Sequence, residues 1–260
     1  MNIKQDQVAL LLKEAHIASS SIRYGLNALC RANIYAKGDY YQAFFQLSIG
    51  LERLMKLIIN ENYRGTNNSF PNNKVLKDYG HDLIEMFERI NEIELFRHSD
   101  ADMNDILFSI LKCLSQFAKT TRYYNLDALT GKQQNIDPLI QWAIIQEEIL
   151  RHNPKRKTSR DNGIQELKSY INENSVAMIF NEKNNIIDNT ADFIDRVEMD
   201  AYVQEYAVYY TYLLISELVN KLLKIESNFE LYPYLSEFFR GFYGGHTKYE
   251  IRKRRNWTNY

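Results

Sequence analysis

Two apolar stripes separated by only a few residues constrain this chain more than any other feature. Val8, Leu11, Leu12, Ala15, Ala18, Ile22, Leu26 and Leu29 recur three or four residues apart. That spacing predicts a helix from about Asp6 to Ala36. Gly38 then breaks the pattern, and Asp39 is placed to cap a second helix. In "DYYQAFFQLSIGLERLMKLIINENY", Tyr40, Phe44, Leu47, Leu51, Leu54 and Ile58 form a near-heptad seam. Two such helices with a short connection pack antiparallel so that their seams meet.

The pattern continues downstream. Residues 64–74, "RGTNNSFPNNK", are polar and hold Pro71, which marks a loop. A shorter helix is expected over 76–96. A longer one is expected after "SDADMND", carrying Leu107, Ile110, Leu111, Leu114, Phe117 and Thr121, with Gly131 as its stop. Asp137 and Pro138 have the residue types of a cap and a first helical position. The stretch 151–163, "RHNPKRKTSRDNG", lacks apolar residues and reads as a basic linker between residues 1–150 and 164–260. Beyond it, 164–180 reads as helical, and a long helix from Asp192 to about Glu226 is apolar on nearly every side, as in the middle of a bundle. Four prolines, ten glycines and the lack of any strand-turn-strand pattern punctuated by Asn-Gly or Asp-Gly fit an all-α, antiparallel bundle with a second helical half packed on it.

Composition excludes several classes of function. A net charge of −1 gives no global basic field for nucleic acid, so any such contact needs a local patch. The two cysteines, Cys30 and Cys113, stand far apart and suggest reduced thiols in a cytoplasmic protein rather than a disulfide framework or a zinc site. His16, His98 and His152 are isolated, and no metal-ligand spacing, Walker loop or dinucleotide fingerprint occurs. No metal or cofactor is expected. The densest apolar run, 206–215, is too short to span a bilayer, and the first turns carry charge where a signal peptide would be apolar, so no membrane partner is expected.

Three stretches, in order, resemble the HEPN family of small helical bundles from prokaryotic toxins, defence proteins and nucleotidyltransferase partners. They are "GDYYQAFFQLSIGLERLMKLI" (38–58), "GHDLIEMFERI" (80–90) and "TTRYYNL" (120–126), within roughly residues 10–130. The resemblance implies a homodimer. It also implies, for ribonuclease members, an Arg followed after four to six residues by a His, which stabilise phosphate charge and move a proton without a metal. Here Arg122 is followed at those positions by Asp127, Ala128 and Leu129. A carboxylate at that position repels phosphate and is a poor proton donor at neutral pH. The resemblance with this departure points to a non-catalytic module acting through protein–protein or RNA contacts, in a defence or toxin–antitoxin setting. Two alternatives stand beside it. One is a metal-independent endoribonuclease assembled from Arg122, Asn125, Asp127 and His81 or His246. The other is a helical scaffold unrelated to that family, in which Arg122 is buried against Asp127.

Other constellations have plain structural readings. Arg240 and His246 have the Arg-to-His spacing, yet Gly241, Gly244 and Gly245 between them favour an aromatic-packed turn over a helix. His81 beside Asp82 fits a helix start capped by the aspartate, or a base oriented by it. Glu52 and Lys56 read as a solvated i,i+4 pair. Two basic clusters are candidates for nucleic-acid contact: Lys155, Arg156, Lys157 and Arg160, and Arg252, Lys253, Arg254 and Arg255 with Trp257 as a stacking ring.

Overall fold

The computed structural model describes residues 4–72, 74, 78, 80–96, 104–132, 136–155, 168–175, 178–182 and 184–257. Helices α1 (Gln5–Arg31) and α2 (Lys37–Asn67) form the first hairpin. Their approach is set by two glycines. A Cβ added to Gly25 would lie 2.6 Å from Leu47 Cγ, and one on Gly50 would lie 2.6 Å from Ile22 Cγ1 and 2.8 Å from the Ile22 backbone nitrogen. Each helix therefore offers a large residue to the other's glycine, Ile22 to Gly50 and Leu47 to Gly25, and the reciprocity makes the pair antiparallel.

Next come α3 (Leu83–Asn91), a 3₁₀ turn (Glu94–Phe96) and α4 (Asp105–Gln116). A π turn (Phe117–Thr121) then leads to the short α5 (Tyr124–Leu129) and to α6 (Pro138–His152). Asp137 caps α6 as expected, accepting from the Leu139 N–H at 2.8 Å. Phe44, Leu51 and Leu114 are fully buried, so the first half is the expected set of paired helices with meeting seams. Phe44 sits at its aromatic centre, 5.6 Å from the Phe117 ring and 5.2 Å from Trp142.

Helix α7 (Thr190–Asn228) lies along α2 and is tied at both ends by buried carboxylates. Near its start, Asp200 accepts from the Ile34 N–H (2.9 Å) and from Arg196 (2.7 Å), and Arg196 also reaches Glu182 (2.9 Å). Near its end, Glu226 accepts from the backbone of Leu235 (2.6 Å) and Ser236 (3.1 Å). Beside it, buried Arg64 pairs with Glu61 and donates to the Tyr232 carbonyl (3.0 Å). Burial pushes the carboxyls of Glu61, Asp200 and Glu226 above their ordinary range. A 3₁₀ segment (Leu235–Phe242) and α8 (Lys248–Lys253) then wrap back over α1 and α7. One apolar core runs from Leu11 to Trp257.

The departures from the sequence reading are local and have identifiable causes. Helix α1 stops at Arg31 rather than Ala36 because Asn33 Oδ1 accepts from the Tyr35 and Ala36 N–H groups, while Asp200 takes that of Ile34. Helix α2 consequently starts at Lys37, so Asp39 is a first-turn acid and not the cap. It runs through the expected loop to Asn67 and ends on Asn68 in the left-handed region (φ 51°). In the stretch read as helical, only residues 168–174 are helical in the described part. The end of that stretch instead forms β1 (Ile179–Phe180), paired antiparallel with β2 (Ile186–Ile187). Asn181 Oδ1 accepts from the Asn185 N–H at 2.9 Å, and Asn184 adopts φ 60°, a conformation that asparagine tolerates. Most of the stretch read as a linker, 156–163, lies outside the described residues.

The glycine contacts generate a prediction opposite in sign to helix propensity. Gly50→Ala gains about 1 kcal/mol of propensity but drives a methyl into the Ile22 backbone, an overpacking that costs about 1–3 kcal/mol. Urea denaturation is expected to show a lower midpoint at unchanged slope. A variant as stable as the wild type would remove the close approach as a determinant of the fold.

Candidate functional site

The polar corner that closes α4 is built by a wide turn. Thr120 donates its hydroxyl to the Gln116 carbonyl (3.1 Å), competing with the backbone ladder, and residues 117–121 adopt π geometry. The added residue shifts the helical register just before Arg122, and such π turns recur at functional sites. The Arg122 guanidinium lies 5.0 Å above the Phe45 ring of α2. Its Nε is buried without a hydrogen-bond partner. Asn125 donates to the Tyr41 hydroxyl, one turn earlier on α2, at 3.2 Å. The expected Arg122–Asp127 contact does not form. Asp127 pairs with Lys132 at 2.9 Å, because the turn directs the two side chains to different neighbours.

Tyr41, Phe45, Glu52 and Lys56 form one stripe on α2, each three or four residues or two full turns from the next. About 10 Å along the axis from Phe45, Glu52 holds His81, with its Oε2 2.9 Å from His81 Nδ1. Glu52 Oε1 accepts from Lys56 (2.8 Å), which also donates to the Gly80 carbonyl (2.9 Å). The pair read as a solvated Glu52–Lys56 contact is therefore a tertiary clamp on the loop before α3. Burial opposes ionisation of Glu52, but the bonds from Lys56 and His81 outweigh it and hold the carboxyl below its ordinary value. The His81 side chain remains 60% exposed.

Asp82 caps α3, accepting from the Ile84 and Glu85 N–H groups at 3.1 and 3.3 Å. It also accepts from Ser115 Oγ (3.1 Å) and pairs with Lys119, which locks the start of α3 onto α4. It does not orient His81; Glu52, 29 residues upstream, does that. Between α3 and α4 lies an open cleft of about 420 Å³, with Lys112, Gln116, Lys119 and Thr120 along one wall and Asp82 at its end. The structure thus brings Arg122, Asn125 and His81 to the α2 stripe, and Lys112 and Lys119 to the adjoining wall. The arrangement can hold an oxyanion, and the His81–Glu52 pair can move a proton. Sequence reasoning missed Glu52 as a partner of His81, because the contact is between helices. Lys112 and Lys119, seven residues apart on an exposed helical face, were a signal within reach.

The remaining candidates go elsewhere. Arg240 pairs with Glu237, three residues before it, and His246 packs edge-on against Tyr212 with ring centroids 6.3 Å apart. Arg252, Lys253 and Arg255 converge on Glu205 at 3.0, 2.7 and 2.8 Å, so the basic tail serves first as a latch on α7. Trp257 is 2% exposed, stacked on Phe242 with planes 3° apart and covered by Arg254. That burial corrects its expected role as a stacking ring. Lys155 faces Glu198 at 3.7 Å, and Arg156, Lys157 and Arg160 lie outside the described residues. Among the described residues no group of His, Cys, Asp and Glu could hold a metal ion, and no helix is long and apolar enough to cross a membrane.

The Asp82 clamp is testable by pH. Burial would raise its carboxyl, but Lys119, the Glu85 N–H and Ser115 together hold it below the ordinary range. A depressed folded-state value means that the stabilisation exists above the unfolded value and is lost as pH falls through the folded one. Asp82→Ala is expected to cost about 1 kcal/mol at pH 7, the usual worth of such a cap. The melting-temperature gap to wild type should close below pH 4; a gap that persists unchanged into acid would show that the carboxylate charge is not what locks α3. No family model matches this chain, and neither the curated proteins nor the solved structures contain a match to it.

Proposed function

We propose that the chain is a HEPN-like, non-hydrolytic helical module that contacts RNA through the Arg122 corner, in a defence or toxin–antitoxin setting. The observation that carries this reading is Arg122 itself. Its guanidinium rests on Phe45, its Nε lacks an acceptor, and among the described residues no carboxylate pairs with it. The Arg122 side chain as a whole is only half-buried, so the rest of its guanidinium is within reach of a ligand oxygen. Lys112 on α4 extends the cationic side, suited to a further phosphate, with Lys119 of the π turn beside it shared with Asp82. Hydrolysis is disfavoured because Asp127 occupies the position where the resembling ribonucleases place histidine.

The resemblance also implies a second copy of the chain. Helix α5 supports this: none of its residues is buried, and beside Arg122 it presents Leu126 and Leu129 at 62% and 83% exposure. Pairing of two such helices would bring two Arg122 corners together. One observation favours the ribonuclease alternative, namely the His81–Glu52 pair on the same stripe of α2.

Three experiments test these readings. Fluorescence anisotropy with single-stranded RNA is expected to show binding that weakens with salt. In Arg122→Ala the affinity should fall about tenfold and the salt slope should decrease by about one; unchanged affinity removes Arg122 from the interface. Incubation with total RNA in EDTA should leave it intact, whereas cleavage lost in both Arg122→Ala and His81→Ala would establish the enzyme instead. Light scattering should report a dimer for the wild type and a monomer for Leu126→Asp/Leu129→Asp. A wild-type monomer at high concentration would refute the paired arrangement.

A further inference from the structure

We propose that Arg252, Lys253 and Arg255, in the C-terminal strap that wraps over α1 and α7, bind a phosphate dianion, either inorganic phosphate or the terminal phosphate of a nucleotide. The site is separate from the Arg122 corner and does not depend on the RNA-contact reading of that corner.

Charge at the latch does not balance. All three cations meet on Glu205 of α7, whose side chain is only 8% exposed. Its Oε2 takes Arg252 at 3.0 Å. Its Oε1 takes both Lys253 at 2.7 Å and Arg255 at 2.8 Å, so Lys253 Nζ and Arg255 Nη2 are at most 5.5 Å apart. One ion pair is enough to fasten the strap. The second and third bring like charges together, which a single carboxylate offsets only in part. Two positive charges are left over, the charge of a phosphate dianion. The other carboxylate of the segment, Glu250, accepts from the Thr247 N–H (2.7 Å) and hydroxyl (3.0 Å), and Lys248 and Arg254 add two further cations.

The fold holds the three cations in place. The Arg252 guanidinium lies 3.8 Å from the Tyr206 ring centroid, and Tyr202 packs against Tyr206 at 5.2 Å. Ile251 and Trp257 are buried on either side of the cluster and anchor its backbone in the core. Lys253 and Arg255 stay 48% and 53% exposed. Each donates to Glu205 and to no other acceptor among the described residues. An ammonium and a guanidinium carry several N–H groups each, so their remaining donors are open to solvent oxygen. A phosphate dianion supplies several acceptor oxygens within one small group, which suits closely spaced donors better than a lone carboxylate does.

The test is calorimetric titration of nucleic-acid-free wild type and Arg122→Ala with inorganic phosphate and AMP, with adenosine as the control lacking phosphate. One saturable site is expected in both proteins, silent to adenosine. Its affinity should rise with pH through about 6, where the ligand takes its second negative charge. Equal affinity for phosphate and AMP identifies the free anion as the ligand, and tighter AMP binding identifies a nucleotide terminus. Lys253→Gln and Arg255→Gln should each weaken binding about tenfold at an unchanged melting temperature. Arg53→Gln, which removes the same charge on α2, should bind as wild type does. Should one strap variant melt early, the other carries the test, and Lys253→Arg should retain binding. No saturation at millimolar concentration, loss of binding in Arg122→Ala, equal weakening by Arg53→Gln, or full affinity in a folded strap variant would each overturn the assignment.

Discussion

The close approach of α1 and α2 at Gly25 and Gly50 is the contact on which the other helices depend. With no side chain at either glycine, Leu47 and Ile22 lie against backbone and the two helices form one thick slab. The slab fixes the direction of α2, and α2 in turn supplies the seat of Arg122, the carboxylate of Glu52 and the buried Glu61–Arg64 pair. A wider spacing would move the whole α2 stripe relative to α3 and α4, and so separate His81 from Glu52 and Arg122 from Phe45.

Along α2 the polar groups are sorted by their surroundings. At the buried end, Glu61 and Arg64 lie out of contact with water, and burial keeps the Glu61 carboxyl above its ordinary range despite the guanidinium beside it. Removing one member of such a pair strands the other, so it imposes registry more than it adds stability. In the middle, Glu52 is reached by both Lys56 and the imidazole of His81, and its carboxyl is held low. One helix thus carries a carboxylate fixed for packing and another poised near solvent, and only the latter belongs to a site that a ligand can reach.

The C-terminal segment illustrates a different use of charge. Ser19, Arg23, Asn27 and Cys30 form a polar stripe on α1 that a solvent face would match equally well. In the fold that stripe is covered: Ser19 and Arg23 donate to the Phe238 carbonyl at 2.7 and 2.8 Å, Asn27 accepts from the Trp257 N–H at 2.8 Å, and Cys30 faces the Arg254 carbonyl. Three cations gathered on Glu205 hold the strap down. A basic, aromatic tail that reads as a nucleic-acid arm is, in the folded chain, also a strap, with Ile251 and Trp257 inside and Lys253 and Arg255 about half exposed.

The sequence by itself determined the all-α class, the paired first helices, the core positions Phe44, Leu51 and Leu114, the Asp137 cap and the long buried helix. All of these rest on periodicity and capping, which act over a few residues and are therefore written locally. It also singled out Arg122 and His81, but not their partners. The seat on Phe45, the Glu52–His81 bond, the diversion of Asp127 to Lys132, the β-hairpin after residue 178 and the burial of Trp257 were decided only by tertiary structure. Each joins groups brought together by helix packing, and a spacing rule along the chain carries no information about which helix lies beside which.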